Sequence, residues 1–272
     1  MKNTFKKLFI SFTVLSLTAC GSTTMQDNTF AAKENKDFTK YTNQLVVEYA
    51  ENDYTTMHQF FEHPEDYGID VNKVEISLGE FYTDNTDEIK EDQKELNKFN
   101  RSTLDKTQQT IYDELKYENE LSLKAENKKF QYLNNCWSTM SGLHQSLISV
   151  FSEYILRNEK DIQDLITLIN DVPRYTNDVL EYTKKQADKN TLQFDYDSVT
   201  QDIQDVINNK ADSSITSALY NAIDALNLDE EKTTSYKAQV KDAMDTSFFP
   251  SYQDMLDTLT SLQYNVQPLQ GL

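Results

Sequence analysis

Three histidines, two cysteines and 45 acidic side chains are where chemistry could reside in this 272-residue chain. Metal capture needs donors that converge on one ion. His58 and His63 are five residues apart, which on a helix turns them about 140° from each other, the wrong geometry for a shared metal. They read as solvated or capping side chains. No HExxH string occurs, so the helix-borne zinc site of metallopeptidases is not spelled by these residues. His144 follows Gly142 at the head of an apolar run and reads as structural. Cys136, beside Trp137, reads as a small buried hydrophobe rather than a nucleophile. Five glycines, at positions 21, 68, 79, 142 and 271, cannot build a P-loop, a dinucleotide fingerprint or a GxSxG elbow. Asp195-Tyr196-Asp197 opens like a calcium loop but lacks the glycine and the closing glutamate. With so many acids some close carboxylate pair is inevitable, so a glycosidase-type pair carries no information. The sequence assigns no catalytic residue and no metal ligand.

Bulk properties narrow the partners. The formal net charge of −19 repels phosphate backbones and excludes nucleic acid as a partner; it also disfavours attraction of the folded part to anionic lipid. Only 5 Gly and 4 Pro, against 16 Tyr and 14 Phe, favour long helices around a real core, as one large domain or two small ones.

The clearest chemical signal is Cys20. Lys2, Lys6 and Lys7 form a basic leader, and Leu8 to Leu17 an apolar run too short to span a bilayer as a permanent helix. Leu17-Thr18-Ala19-Cys20, then Gly21-Ser22, closely resembles the lipobox of bacterial lipoproteins. The resemblance implies diacylglycerol transfer to the Cys20 thiol, cleavage between Ala19 and Cys20, and acylation of the new amine by a fatty acid such as palmitate. Residues 1–19 are then a signal peptide and residues 20–36 a lipidated cysteine with a flexible tether. The protein is held at the extracytoplasmic face of the cell membrane through the Cys20 lipid, and Cys136 is left with no partner for an intramolecular disulfide.

The elements that must position any site are helical. Phe130 to Gln186 reads as three apolar helical faces in series, hinged at Ser141-Gly142, around Arg157-Asn158 and at Val172-Pro173. Leu143, Leu147, Val150, Phe151 and Tyr154 share one face; Ile162, Leu165, Ile166, Ile169 and Val172 share another. Upstream, a first helix marked by Phe38, Tyr41, Leu45 and Tyr49 runs through Met57 and Phe61 and stops before Pro64. An irregular stretch follows, then a short helix at Ile89–Phe99 and a longer one capped around Ser102 and Asp105. Downstream, Lys185 to Tyr196 reads as a loop, followed by helices marked by Val199–Ile207 and Ile215–Leu226. Asp229 then caps a long segment that Pro250 kinks or restarts, and Gln267 to Leu272 is a turn-like string with no terminating element.

Several strings, taken in order, resemble the amino-terminal half of the DUF885 family, relatives of zinc-dependent gluzincin peptidases. They are HQFFEHPEDYGIDVNKVEISLGEF (58–81), STLDKTQQTIYDELKYENE (102–120), MSGLHQSL (140–147), EKDIQDLITLINDVPRYTNDVLEYTKKQ (159–186) and FFPSYQDMLDTL (248–259). Where relatives tend to carry Thr-Gly-Leu-Gln, this chain has Ser141-Gly142-Leu143-His144. The resemblance implies an all-α, bundle-like array over residues 37–266, the amino-terminal portion of a larger, mainly helical peptidase-like fold. The family's zinc motif belongs to the carboxy-terminal half, so no catalytic residue carries over, and residues 267–272 read as a truncated end. The resulting expectation is a membrane-anchored lipoprotein, catalytically inactive alone, with zinc and catalysis in a missing or separately encoded half. The alternative is a stand-alone cell-surface binding lipoprotein. A hydrolase using some other constellation ranks last.

Overall fold

The computed structural model describes residues 33–81 and 85–268. Cys20 and Ala19, with the signal peptide and most of the tether, lie outside the described residues. The fold is all-α: among the described residues the only extended pairing is an isolated parallel bridge between Gln193 and Gln267. The chain divides into two compact units. One holds residues 33–52, Pro64–Lys73 and 85–131; the other holds Asp53–His63, Val74–Phe81 and 132–268.

In the first unit, α1 (Lys36–Asn52), α3 (Thr86–Leu96) and α4 (Lys106–Ala125) enclose a small core of Phe38, Leu96, Leu104, Tyr112 and Leu115. Phe38 meets Phe99 edge-on at 5.1 Å, a favourable aromatic geometry. Asp105 starts α4 through a capping box: its carboxylate accepts from the Gln108 amide at 2.9 Å while the Gln108 side chain accepts from the Asp105 amide. Ser102, expected to share the cap, instead sits in the 3-10 turn Arg101–Thr103.

In the second unit, α2 (Tyr54–Phe60) is a helix separate from α1. The expected single helix breaks at Asp53, whose backbone is extended and whose carboxylate accepts from the Thr56 amide at 2.9 Å. A short acidic side chain that can satisfy its own downstream amides competes with helix continuation. The remaining helices are α5 (Leu143–Ser152), α6 (Glu159–Asp188), α7 (Tyr196–Asn208), α8 (Ser214–Ala225), α9 (Glu230–Ala243) and α10 (Phe249–Ser261). Asn158, Asp195, Ser213 and Asp229 cap four of them with side-chain oxygens. The core of this unit sets Phe151, Phe248 and Tyr252 against one another, Phe151 meeting Phe248 edge-on at 5.7 Å.

Helix α6 corrects two expectations. Its thirty residues run through Pro173 without a hinge. Pro173 removes one amide donor, toward the Ile169 carbonyl, at a cost of about 3 kcal/mol relative to alanine. Against this, Ile162, Leu165, Leu168, Ile169 and Val172 before the proline and Val179, Leu180 and Tyr182 after it are buried. Each such aliphatic side chain is worth about 1.5–3 kcal/mol, so burial on both sides outweighs the lost bond. The second correction is that the first of the three apolar faces is not a helix: residues 130–142 form turns and irregular chain. The Asn135 side chain accepts from the Trp137 amide at 3.0 Å, a local turn that competes with helix and leaves Trp137 free to drive into the core.

Two segments near the described end also differ from expectation. Pro250 follows a π-turn, Met244–Phe248, in which the Phe249 amide reaches back five residues to the Met244 carbonyl. The helix absorbs the proline by widening one turn rather than by stopping. The string after Gln263 is tied down: the Gln267 amide donates to the Leu192 carbonyl at 2.8 Å, and the Gln193 side chain donates to the Pro268 carbonyl at 2.6 Å.

Because Pro173 is exposed, Pro173→Ala loses no packing and regains a donor. A thermal melt should show a gain in stability, by up to about 3 kcal/mol. The opposite holds for Gly142→Ala, where a Cβ would meet the Ser138 carbonyl oxygen at 2.6 Å and the Ser138 nitrogen at 2.7 Å. That variant should melt lower by about 1–3 kcal/mol.

Candidate functional site

In the second unit, α2 and the start of α6 assemble a buried group of titratable side chains. Helical spacing puts Tyr54 and His58 one turn apart on α2, and Asp161 and Asp164 on the face of α6 that also buries Ile162 and Leu165. Acids on an apolar face need partners. The Tyr54 hydroxyl donates to Asp164 Oδ2 at 2.9 Å and lies 2.9 Å from the Tyr154 hydroxyl. Lys160 closes the same carboxylate from the exposed side. The His58 ring is stacked between Tyr154, at 4.4 Å, and Tyr54, at 5.6 Å.

His58 Nε2 lies 2.6 Å from the Ile155 carbonyl oxygen, so Nε2 carries the proton and donates. Its Nδ1 then faces the Tyr54 hydroxyl and the Arg157 guanidinium, each at 3.5 Å. Arg157 also donates to the His58 carbonyl at 2.8 Å, and the Arg157 amide donates to Asp161 Oδ2 at 2.7 Å. Burial holds the His58 pKa below the ordinary histidine value; Arg157 pushes the same way, while the Ile155 carbonyl, Asp161 and Asp164 oppose it. The result is a neutral imidazole inside a closed network. A cleft of about 240 Å³ lies over it, lined in part by Thr55, His58, Val150 and Ile155.

Farther along α6, two strings that carried the family resemblance come together. The Leu78 amide donates to Asp171 Oδ2 at 2.8 Å, and Arg174 Nη2 donates to the Gly79 carbonyl at 2.8 Å. Asp171 in turn binds Arg174 in a two-point fork, at 2.6 and 2.7 Å. Phe81 rests edge-on against Tyr182 at 5.2 Å. Segment 75–81, irregular by itself, is fastened to the helix by one aspartate and one arginine. The groove so formed, about 460 Å³, presents Glu75, Ser77, Glu80, Thr167 and Asn170.

The third polar site is His144, fully buried at the start of α5. Trp137 stacks on it at 6.4 Å and anchors itself by donating from Nε1 to Thr183 Oγ1 at 2.9 Å. The Tyr252 hydroxyl donates to the His144 carbonyl at 2.5 Å. The Asp202 carboxylate stands 3.6 Å from His144 Nε2, beyond hydrogen-bond range, and neither ring nitrogen has a bonded partner. Burial lowers this histidine's pKa too, with Asp202 opposing.

The structural reading of His144 therefore holds. His58 is not solvated, as the sequence suggested: the two tyrosines enclose it. His63 is exposed. Cys136 is buried, and burial pushes its thiol up to about 12, which leaves it protonated and unreactive. Among the described residues no three histidine, cysteine or acidic side chains are placed to hold a metal ion, and no helix is long and apolar enough to cross a membrane. The donors among the described residues do not fit a zinc site. Tyr54, Tyr154, Arg157, Asp164 and Arg174 were missed by sequence reasoning. Asp161 and Asp164 carried a readable signal, as acids interrupting the apolar stripe of a helix.

A model of DUF885, bacterial proteins of unknown function, matches residues 67–268, well over half of the chain. No curated protein and no solved structure gave a significant match.

The two neutral buried histidines set the acid response. A histidine whose folded pKa lies below its unfolded value contributes stability that is complete above the unfolded pKa of about 6.5 and is lost as pH falls below it. Melting temperature should therefore drop between pH 6.5 and 5, above the range where carboxylates titrate, and His144→Gln should flatten that slope. Tyr54→Phe should cost about 1–2 kcal/mol, because Asp164 loses a donor inside the core.

Proposed function

The chain belongs to the DUF885 family, and from that premise we propose that it is a membrane-anchored lipoprotein whose helical region binds and presents rather than cleaves. The anchor reading is supported by Lys2, Lys6 and Lys7, the apolar run Leu8 to Leu17, and Leu17-Thr18-Ala19-Cys20 in order. In the reaction, the Cys20 sulfur displaces the phosphate headgroup from the glycerol carbon of a membrane phospholipid, forming a thioether while the thiol proton leaves with the headgroup, and water then hydrolyses the peptide bond between Ala19 and Cys20. The product sits on the extracytoplasmic face.

The non-catalytic reading rests on one observation: the Tyr54–His58–Tyr154–Asp164–Lys160 network is closed on itself. A general base must reach a substrate proton, yet His58 Nε2 is held by the Ile155 carbonyl and Nδ1 is turned toward Arg157 and Tyr54. Asp164 is occupied from two sides. These groups rigidify a helix junction and leave none free to act on a bound molecule. Peptide-bond cleavage associated with this region belongs, in this reading, to a zinc-bearing half that assembles with it.

Growth of the native host with an alkyne analogue of palmitate should label the full chain and place it in the membrane fraction. Cys20→Ser should abolish the label; an unlabelled wild-type chain, or a labelled Cys20→Ser chain, would sink the anchor. Separately, the purified chain should release no product from a mixed peptide library with zinc added. Zinc-dependent turnover that disappears in His58→Ala or His144→Ala would overturn the non-catalytic reading.

A further inference from the structure

His144 combines full burial with two ring nitrogens that make no hydrogen bond. A polar group taken out of water without a partner is unfavourable for as long as it stays so. A partner nonetheless stands close. Asp202 Oδ2, on α7, lies 3.6 Å from His144 Nε2, and Gln145 Nε2, from the next residue of α5, already donates to that oxygen at 3.2 Å. A charge-assisted N–H···O bond closes at about 2.7–2.9 Å, so the carboxylate has less than about 1 Å to travel. The Asp202 side chain is 38 % exposed, so solvent reaches one member of the pair. No lysine or arginine among the described residues forms an ion pair with Asp202.

The other neighbours leave Asp202 as the charge that acts on the ring. Helix α5 itself carries no acid, lysine or arginine. Trp137 stacks on the imidazole, and Tyr252, from α10, donates to the His144 carbonyl. Burial pushes the Tyr252 hydroxyl above its ordinary range and the nearby Cys136 thiol up to about 12, so both stay neutral where a histidine titrates. Asp197 and Asp205 on α7, and Asp254 and Asp257 on α10, are exposed. On α8, which packs against α5, Asp224 is paired with Lys237 at 2.7 Å. His58 differs from His144 in that its Nε2 is already committed to the Ile155 carbonyl.

We propose that His144 and Asp202 form a proton-operated latch between α5 and α7, open while the imidazole is neutral and closed once it is charged. Uptake of a proton from water leaves both ring nitrogens protonated, so Nε2 becomes a donor whatever the starting tautomer. The cation then draws Asp202 into a direct bond, a gain that opposes the unfavourable burial of its charge. The latch grips the head of a helix whose far end gives Ser149 and Val150 to the cleft over His58. It depends neither on the lipid at Cys20 nor on the absence of catalysis.

The chain carries its own reporter. Trp137 is its only tryptophan and stacks on His144, and a protonated imidazole quenches an excited indole by accepting an electron from it. With the full chain in detergent, tryptophan emission should fall in a single step centred below about pH 6.5, while the circular-dichroism spectrum stays native. His144→Gln should remove the step. Asp202→Asn should move its midpoint down by about one pH unit, because the cation loses its counter-charge. Four results each overturn the latch: flat emission across the folded range, a fall that coincides with loss of circular dichroism, a step that survives His144→Gln, or a midpoint unmoved by Asp202→Asn. Should Asp202→Asn not fold, NMR of the wild-type ring decides. Below the step the His144 Nε2 proton must shift downfield, as in a bond to carboxylate, and an unshifted proton overturns the proposal.

Discussion

Burial along one helix is the constraint on which the larger unit depends. Glu159–Asp188 makes a rod about 45 Å long, and its apolar stripe fixes which residues face inward. Three polar stations ride on it at set intervals. Asp161 and Asp164 receive Arg157 and Tyr54, Asp171 and Arg174 fasten segment 75–81, and Thr183 and Gln186 hold Trp137 and the Tyr132–Asn134 backbone. Were the helix to hinge at Pro173, the first station and the last would move independently. Continuity through the proline keeps the stations in register.

The stations share an energetic logic. A buried polar group left alone costs several kcal/mol, while a satisfied one is nearly neutral and restricts its neighbours to one arrangement. Tyr54, Asp164 and Lys160 satisfy one another, as do Asp171, Arg174 and the Gly79 carbonyl. His144 is not satisfied in this way, having an acid close by but no hydrogen bond to its ring. Burial favours the neutral imidazole there, and Asp202 works against it.

Periodicity made much of the fold legible. The stripes through Leu143–Phe151 and Ile162–Val172 marked real buried faces, and Asp105 and Asp229 marked real helix starts. What failed has common physical causes. Asp53 and Asn135 divert the backbone through local side-chain hydrogen bonds that a hydrophobic count does not weigh. Pro173 and Pro250 are tolerated because tertiary burial and a π-turn absorb them, and neither is visible in a single segment. The polar sites were less legible still. His58 finds Tyr154 and Ile155 only through tertiary folding, and sequence spacing does not encode a contact across such a distance. The acids among the apolar residues of α6 were the available clue, and they announce a buried partner without naming it.

The Tyr54–Tyr154 contact joins residues 100 positions apart, and Tyr54–Asp164 joins residues 110 apart. Between them in sequence lie residues 64–73 and 85–131 of the first unit; its remaining segment, 33–52, which brings Phe38 to the small core, precedes Tyr54. The larger unit is thus built from early fragments and a late one, with most of the smaller unit's chain lying between them in sequence. Closing so long a loop is entropically costly and slow compared with forming a local helix. During synthesis the residues around Tyr54 and Leu78 therefore emerge long before their docking sites on α6 exist. The smaller unit can collapse first and shorten the effective loop, which makes its core a chaperone in cis for the larger. Damage to Phe38 or Leu104 would then slow assembly of a core that contains neither residue.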